Sequence, residues 1–196
     1  MLWSICVGIS LIGVVLRAYT VGYAAKGTSG RNTKEGQIAE TLNTTGIYSI
    51  VRNPLYLGNF MIMLGQVLLL RSMWCVLVYV LSFWLYYERI IMAEESFLKQ
   101  KFGEAYEAYT RLTPAFVPKL SLWKKTVLSY SLKFMIRKEC HGLFVMMIIF
   151  SVLGTTCDAV ANGSFVLVNV WTWIAGISTM VYVLINLVTK KMLNDV

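Results

Sequence analysis

Arg52-Asn53 and the acidic doublet Glu94-Glu95 are the residues of this 196-residue chain best suited to chemistry. Arg52 and Asn53 stand just before an apolar run that starts at Pro54-Leu55. Glu88, Arg89, Glu94 and Glu95 follow a second run that ends at Tyr87. Two short apolar runs in succession predict a helical hairpin, and a hairpin brings its feet together. A guanidinium able to grip an anion then lies beside carboxylates able to hold a cation. The site would sit at a membrane boundary, open to water and to lipid. Ion pairs that only anchor helix feet use the same residue types: Arg52 with Glu88, and Glu95 with Lys99 at i,i+4 spacing. Glu94 is left over from such pairing.

The elements that must position these groups are hydrophobic. The chain is 57% hydrophobic and 14% charged, with a mean hydropathy of +0.63, outside the range of soluble domains. Its net charge is +8, and sixteen of the eighteen Lys and Arg fall within 26–52, 89–138 and 190–191. Placing those three segments on the cytoplasmic side satisfies the positive-inside rule. The positive excess therefore points to anionic headgroups and not to nucleic acid. Four cysteines without C-x-x-C spacing indicate neither a disulfide framework nor a zinc site, and no metal site is expected.

Five spans are predicted: Leu2 to Tyr23, Leu55 to Leu70, Met73 to Tyr87, Gly142 to Thr156 and Phe165 to Val188. The first lacks a basic n-region and reads as a retained helix. Pro54 suits a first helical turn. Arg17, late in the first span, either snorkels to the interface or faces a polar cavity. Gly27 to Asn32 is a donor-rich loop of the kind that binds phosphates, though a plain surface loop has the same composition. Beyond Glu88 a charged helix continues to Tyr109, interrupted near Gly103. Pro114 and Pro118 are expected to hold Ala115-Phe116-Val117 extended, and Lys119 to Lys138 to form an amphipathic surface helix. His141, the lone histidine, reads as structural. The fold class is all-α integral membrane, a single domain with a hairpin core at 41–118, a basic interfacial segment at 119–140 and a helical pair at 141–196.

Gly46-Ile47-Tyr48, Val51-Arg52-Asn53-Pro54-Leu55-Tyr56-Leu57-Gly58, Glu94-Glu95, Leu98, Phe102-Gly103, Tyr106, Tyr109 and Phe116-Val117-Pro118 occur in the order and spacing of a known family. Across 41–118 the chain resembles the isoprenylcysteine carboxyl methyltransferase and phospholipid methyltransferase superfamily. The resemblance implies a membrane-embedded S-adenosylmethionine (SAM) site facing the cytoplasm, with a lipid acceptor entering from the bilayer. It implies that Tyr48, Asn53 and Tyr56 line the cofactor pocket, that Glu94 and Glu95 form its acidic doublet, and that the backbone of Phe116, Val117 and Pro118 cradles the adenine. Arg52 matches the arginine near the acceptor. Asn53 departs from the histidine usual in the carboxyl methyltransferases.

Methylating an amine requires a base of near-neutral pKa, and His141 is far downstream. A phosphate or carboxylate is already nucleophilic and needs only positioning, by Arg52 with Arg17 or Arg31. The expected activity is thus methyl transfer to an anionic oxygen of a membrane lipid, for instance a lipid A-type phosphate, with Arg52 and Glu94 as catalytic residues. N-methylation of phosphatidylethanolamine and isoprenylcysteine carboxyl methylation are alternatives, and a non-catalytic membrane scaffold is a reading of another class. The expected location is a bacterial inner membrane rather than the endoplasmic reticulum.

Overall fold

The computed structural model describes residues 2–24, 32–33, 36–37 and 39–194; side chains are described throughout except at 32–33, 36–37 and 191–194. Among the described residues there are six α-helices: α1 (Leu2–Gly22), α2 (Pro54–Leu68), α3 (Met73–Phe102), α4 (Glu104–Leu112), α5 (Leu132–Asn162) and α6 (Val170–Asn194). The described strands are β1 (Asn32–Thr33) and β2 (Gly36–Gln37), one short antiparallel pair. Helices α1, α3, α5 and most of α6 are long and apolar enough to cross a membrane, and α2 is a shorter apolar helix. This is a multi-pass membrane protein with about five spans. It divides into two compact units, 1–132 and 133–196.

In the first unit α1 and α2 pack backbone to backbone, because small residues face each other. A Cβ on Gly13 would lie 2.5 Å from the Gly58 carbonyl, and one on Gly65 would collide with the Cys6 carbonyl. Ser10 Oγ donates to the Ile62 carbonyl at 2.7 Å across the same seam. Helix α2 starts at Pro54 as expected, and its far end turns through Arg71, which adopts a φ of 51°. Ser72 then caps α3 by accepting from the Cys75 N–H at 3.4 Å. Between α2 and α3 the gap is filled by rings: Phe83 stacks on Tyr87 at 4.1 Å, and Phe60 meets Phe83 at 5.1 Å. Helix α3 runs unbroken through the apolar run into the charged stretch and stops at Gly103, whose φ of 52° breaks it from α4.

Two expectations beyond α4 are corrected. Residues 115–117 bend rather than extend, because Phe116 turns into the ring cluster against Phe60 at 5.7 Å and Trp84 at 6.0 Å. Residues 119–131 are not a helix. A single 3₁₀ turn at Leu120–Leu122 is followed by extended chain, and helix resumes only at Leu132. The cause lies in where the peptide groups bond. Lys119 N–H donates to the Ile50 carbonyl (2.9 Å), the Lys124 carbonyl accepts from Gly46 N–H (2.8 Å), and Ser131 N–H donates to the Gly22 carbonyl (2.8 Å). Groups committed to distant partners cannot close i→i−4 rings.

In the second unit α5 begins ten residues before the expected start at Gly142, and α6 begins at Val170 instead of Phe165. Asn169 sets that start: its Oδ1 accepts from Trp171 N–H (2.9 Å) and Thr172 N–H (3.0 Å). Trp171 lies flat over Gly154, where a Cβ would clash with the indole, and its Nε1 donates to Asp158 Oδ2 at 2.7 Å. His141 Nδ1 lies 3.1 Å from Tyr182 Oη, tying α5 to α6.

Candidate active site

Arg52 is the pivot of the first unit's polar end. Its backbone N–H donates to the Pro114 carbonyl at 2.9 Å. Its side chain grips Glu95 with both branches, Nε to Oε1 at 3.0 Å and Nη2 to Oε2 at 3.2 Å. Nη1 donates to the carbonyls of Thr110 and Thr113, both at 3.1 Å. Four of its five N–H groups are therefore spent inside the protein. The expected juxtaposition of Arg52 with the acidic doublet is present. The two foot-anchoring pairs are not: Arg52 takes Glu95 rather than Glu88, and Lys99 pairs with Glu107 at 2.9 Å instead of Glu95.

Asn53 precedes α2 but does not cap it with its side chain. Its Nδ2 donates to Glu95 Oε1 (3.4 Å) and to the Ala115 carbonyl (3.1 Å). Two acceptors converge on one donor atom, which an amide NH₂ serves and a neutral imidazole, with a single N–H, does not.

Glu94 has a different environment from its neighbour. Its Oε1 accepts from Tyr56 Oη at 2.7 Å, and among the described residues no Lys, Arg or His forms an ion pair with it. It borders a cavity of about 320 Å³ that is also lined by Arg17, Tyr48, Tyr56, Tyr106 and Tyr109. That volume is in the range of small-molecule sites. Tyr48 is presented by a 3₁₀ turn (Ile47–Ser49), and its carbonyl accepts from Tyr109 Oη at 2.7 Å. Burial, followed by the nearby Glu94 charge, raises the Tyr48 phenol well above its ordinary range. Burial likewise raises Tyr109, and pushes Tyr106 up to about 12. These hydroxyls stay protonated at neutral pH and act as donors and aromatic walls. A carboxylate with no cationic partner, surrounded by tyrosine faces, suits a cationic ligand.

On the α1 side Arg17 enters the cavity lining with its stem crossing Gly58, where a Cβ would strike Arg17 Cγ. Its Nη1 donates to Asn59 Oδ1 at 2.6 Å, and Asn59 Nδ2 donates to Tyr87 Oη at 3.1 Å. Asn59, Tyr106 and Tyr109 were absent from the site expected from sequence. The signals were there: Asn59 is the lone amide early in an apolar helix, and Tyr106 and Tyr109 share one face of α4 at i,i+3 spacing. Phe116, Val117 and Pro118 do not line the cavity: Phe116 is in the ring cluster, and Val117 and Pro118 are exposed. Arg31 and most of the Gly27 to Asn32 loop lie outside the described residues. On its other side the Arg52–Glu95 pair borders an open groove with Lys99, Glu107 and Arg111.

Among the described residues no group of three or more His, Cys, Asp or Glu side chains is placed to hold a metal ion. The nickel-cobalt-cadmium resistance protein NccN of Alcaligenes xylosoxydans xylosoxydans is 34% identical over 116 residues, 59% of this chain and 51% of that protein. The cobalt-zinc-cadmium resistance protein CzcN of Cupriavidus metallidurans is 37% identical over 116 residues, 59% of this chain and 50% of that one. The protein-S-isoprenylcysteine O-methyltransferase of Schizosaccharomyces pombe is 32% identical over 111 residues, 57% of this chain and 47% of that enzyme. The chain spans about half the length of these curated relatives. No solved structure matches it. The phospholipid methyltransferase family model matches residues 3–105, from α1 through α3 and thus both walls that carry Arg17 and Glu94. The match takes in more than half of the chain, which belongs to the phospholipid methyltransferase family.

Proposed function

We propose that the chain is a SAM-dependent methyltransferase that acts on an anionic oxygen of a membrane lipid. The observation that carries this reading is Glu94, a carboxylate held by one phenol in a tyrosine-lined cavity beside a clamped Arg52–Glu95 pair. The donor set fits the cofactor: Glu94 and the faces of Tyr48, Tyr56 and Tyr106 suit its positive charges, and Asn53 and Glu95 fix the adjoining wall. When bound, SAM supplies an electrophilic methyl group on a sulfonium.

The chain's own residues then divide the work. Tyr56 orients Glu94. Arg52 locks α3 to the segment after α4, and so acts chiefly by positioning Glu95 and that segment; one Nη2 hydrogen remains for an acceptor. Arg17, held by Asn59, is the cation we assign to the acceptor's anionic group. No histidine lines the cavity, and its tyrosines outside the spans are pushed away from the neutral range. A cavity lined by no imidazole favours an acceptor that is already ionised, a phosphate or a carboxylate, over an ammonium headgroup. A lipid A-type phosphate is one acceptor of this kind. A prenylated carboxylate, the substrate type named by the isoprenylcysteine O-methyltransferases, is another. The site faces the cytoplasm of a bacterial inner membrane in this reading.

Purified protein incubated with methyl-labelled SAM and total membrane lipid tests it. Alkali-resistant label on a phosphate-bearing lipid, or alkali-labile label on a carboxylate, supports the proposal. Label on an amine headgroup overturns the anionic-oxygen assignment. No SAM binding by folded protein leaves a membrane scaffold.

A further inference from the structure

The strap after α4 has three features together that the cavity does not use. Its backbone is bonded along the cavity wall: Pro114 to Arg52, Lys119 to Ile50, and Lys124 to both Gly46 N–H and Ser49 Oγ (2.9 Å). Several of its side chains point away into the open. Leu120 is 76% exposed, Val127 is 92% exposed, and Lys119, Lys124 and Lys125 are exposed beside them. Its aromatic residues sit against the last turn of α1, with Trp123 6.1 Å from Tyr19 and Tyr130 5.0 Å from Tyr23. That pairing puts the strap at the depth where a spanning helix leaves the bilayer and Trp and Tyr collect.

Charge identifies what would cover this edge. From 108 to 138 the sequence carries seven Lys and Arg and no Asp or Glu. Exposed leucine and valine flanked by lysines, at the interfacial level and without acidic neighbours in the strap, complement a bilayer surface of anionic phospholipid. We infer that residues 117–127 are an anionic-lipid docking edge, and that headgroups bound there steady the Gly46 to Asn53 wall of the cavity. The coupling follows from the bonding, because the wall's free side is hydrogen-bonded to the strap at Gly46, Ser49, Ile50 and Arg52. This goes beyond the proposed methyl transfer and does not depend on it.

The test uses full-length protein in nanodiscs of phosphatidylcholine, with and without phosphatidylglycerol, and follows two readouts. One is the phosphatidylglycerol that stays with the protein in native mass spectrometry. The other is amide exchange at Gly46, Lys119 and Lys124. Phosphatidylglycerol should be enriched and should slow exchange at these amides. The Lys119→Gln, Lys124→Gln, Lys125→Gln triple variant should lose the enrichment by several-fold, at most about fivefold per lysine, and exchange equally fast in both lipids. The corresponding triple Lys→Arg variant should behave as wild type, which separates lost charge from misfolding. Exchange indifferent to phosphatidylglycerol in wild type, or enrichment unchanged in the glutamine variant, would overturn the inference. So would protection in phosphatidylcholine alone that needs two copies per disc, since the edge would then belong to a second copy of the chain.

Discussion

The foot of the α2–α3 hairpin and the α5–α6 pair are both helical hairpins made from the same apolar residue types, yet they spend their polar groups differently. At the first, side-chain bonds reach far along the sequence: Arg52 to Glu95, Thr110 and Thr113, Asn53 to Ala115, Tyr109 to Tyr48. At the second they are mostly local. Asn169 caps its own helix, Trp171 reaches Asp158, and Ser151 and Ser178 return to the carbonyls four residues back. Long-range bonds at one end hold a cavity open and leave a carboxylate unneutralised in it. Local bonds make a self-contained hairpin, whose facing helices are tied by His141 with Tyr182 and by Trp171 with Asp158. The difference lies in how many such long-range bonds converge on one place: several meet around the cavity, and few join the second pair.

The largest break in that contrast should come from Arg52→Ala. It strands Glu95 and two carbonyls, with the pair only 16% and 26% exposed, so about 2–3 kcal/mol of stability should be lost. Thermal or denaturant unfolding in detergent would show it, with SAM affinity falling alongside. His141→Gln in the other hairpin should change unfolding by less than about 0.5 kcal/mol.

A medium effect compares two glycines. Gly58→Ala drives a methyl group into the Arg17 stem and to 3.0 Å from the Gly13 carbonyl, and should cost about 1–3 kcal/mol. Gly176→Ala meets nothing within 4 Å, and in a helix interior should stabilise by up to about 1 kcal/mol. Melting temperatures of the two variants should move in opposite directions.

The smallest effect concerns the surface pair on α3 and α4. Lys99 beside Glu107 lowers that carboxyl below its ordinary 4.5. A depressed folded-state pKa contributes stability above the unfolded value and loses it as pH falls through the folded one. Glu107→Gln should therefore lower the melting temperature slightly at pH 7, and the difference from wild type should vanish in acid below the depressed value. A difference that grew towards low pH would contradict the pairing.

Much of this end was legible in the residues. Two apolar runs broken at Arg71-Ser72 are enough to demand a hairpin, and a hairpin demands that Arg52 approach the acidic doublet. Sequence periodicity does not report which carboxylate the arginine chooses, and that choice separates Glu95 as a clamp from Glu94 as a cavity group. The strap's conformation is hidden from sequence for a related reason. Lys119 to Lys138 has helix-compatible composition, but its peptide groups are claimed by Ile50, Gly46 and Gly22, which only tertiary structure reveals. Nor does composition show that the Phe116 ring joins the cluster of Phe60 and Phe83.

Isothermal calorimetry of SAM with wild type and Glu94→Gln bears most directly on the central claim. An uncompensated carboxylate that holds a cationic ligand predicts at least a tenfold loss of affinity, about 1.4 kcal/mol, with the melting temperature of the ligand-free protein unchanged. Equal affinity in the two proteins would show that Glu94 holds no cation, and would contradict the account.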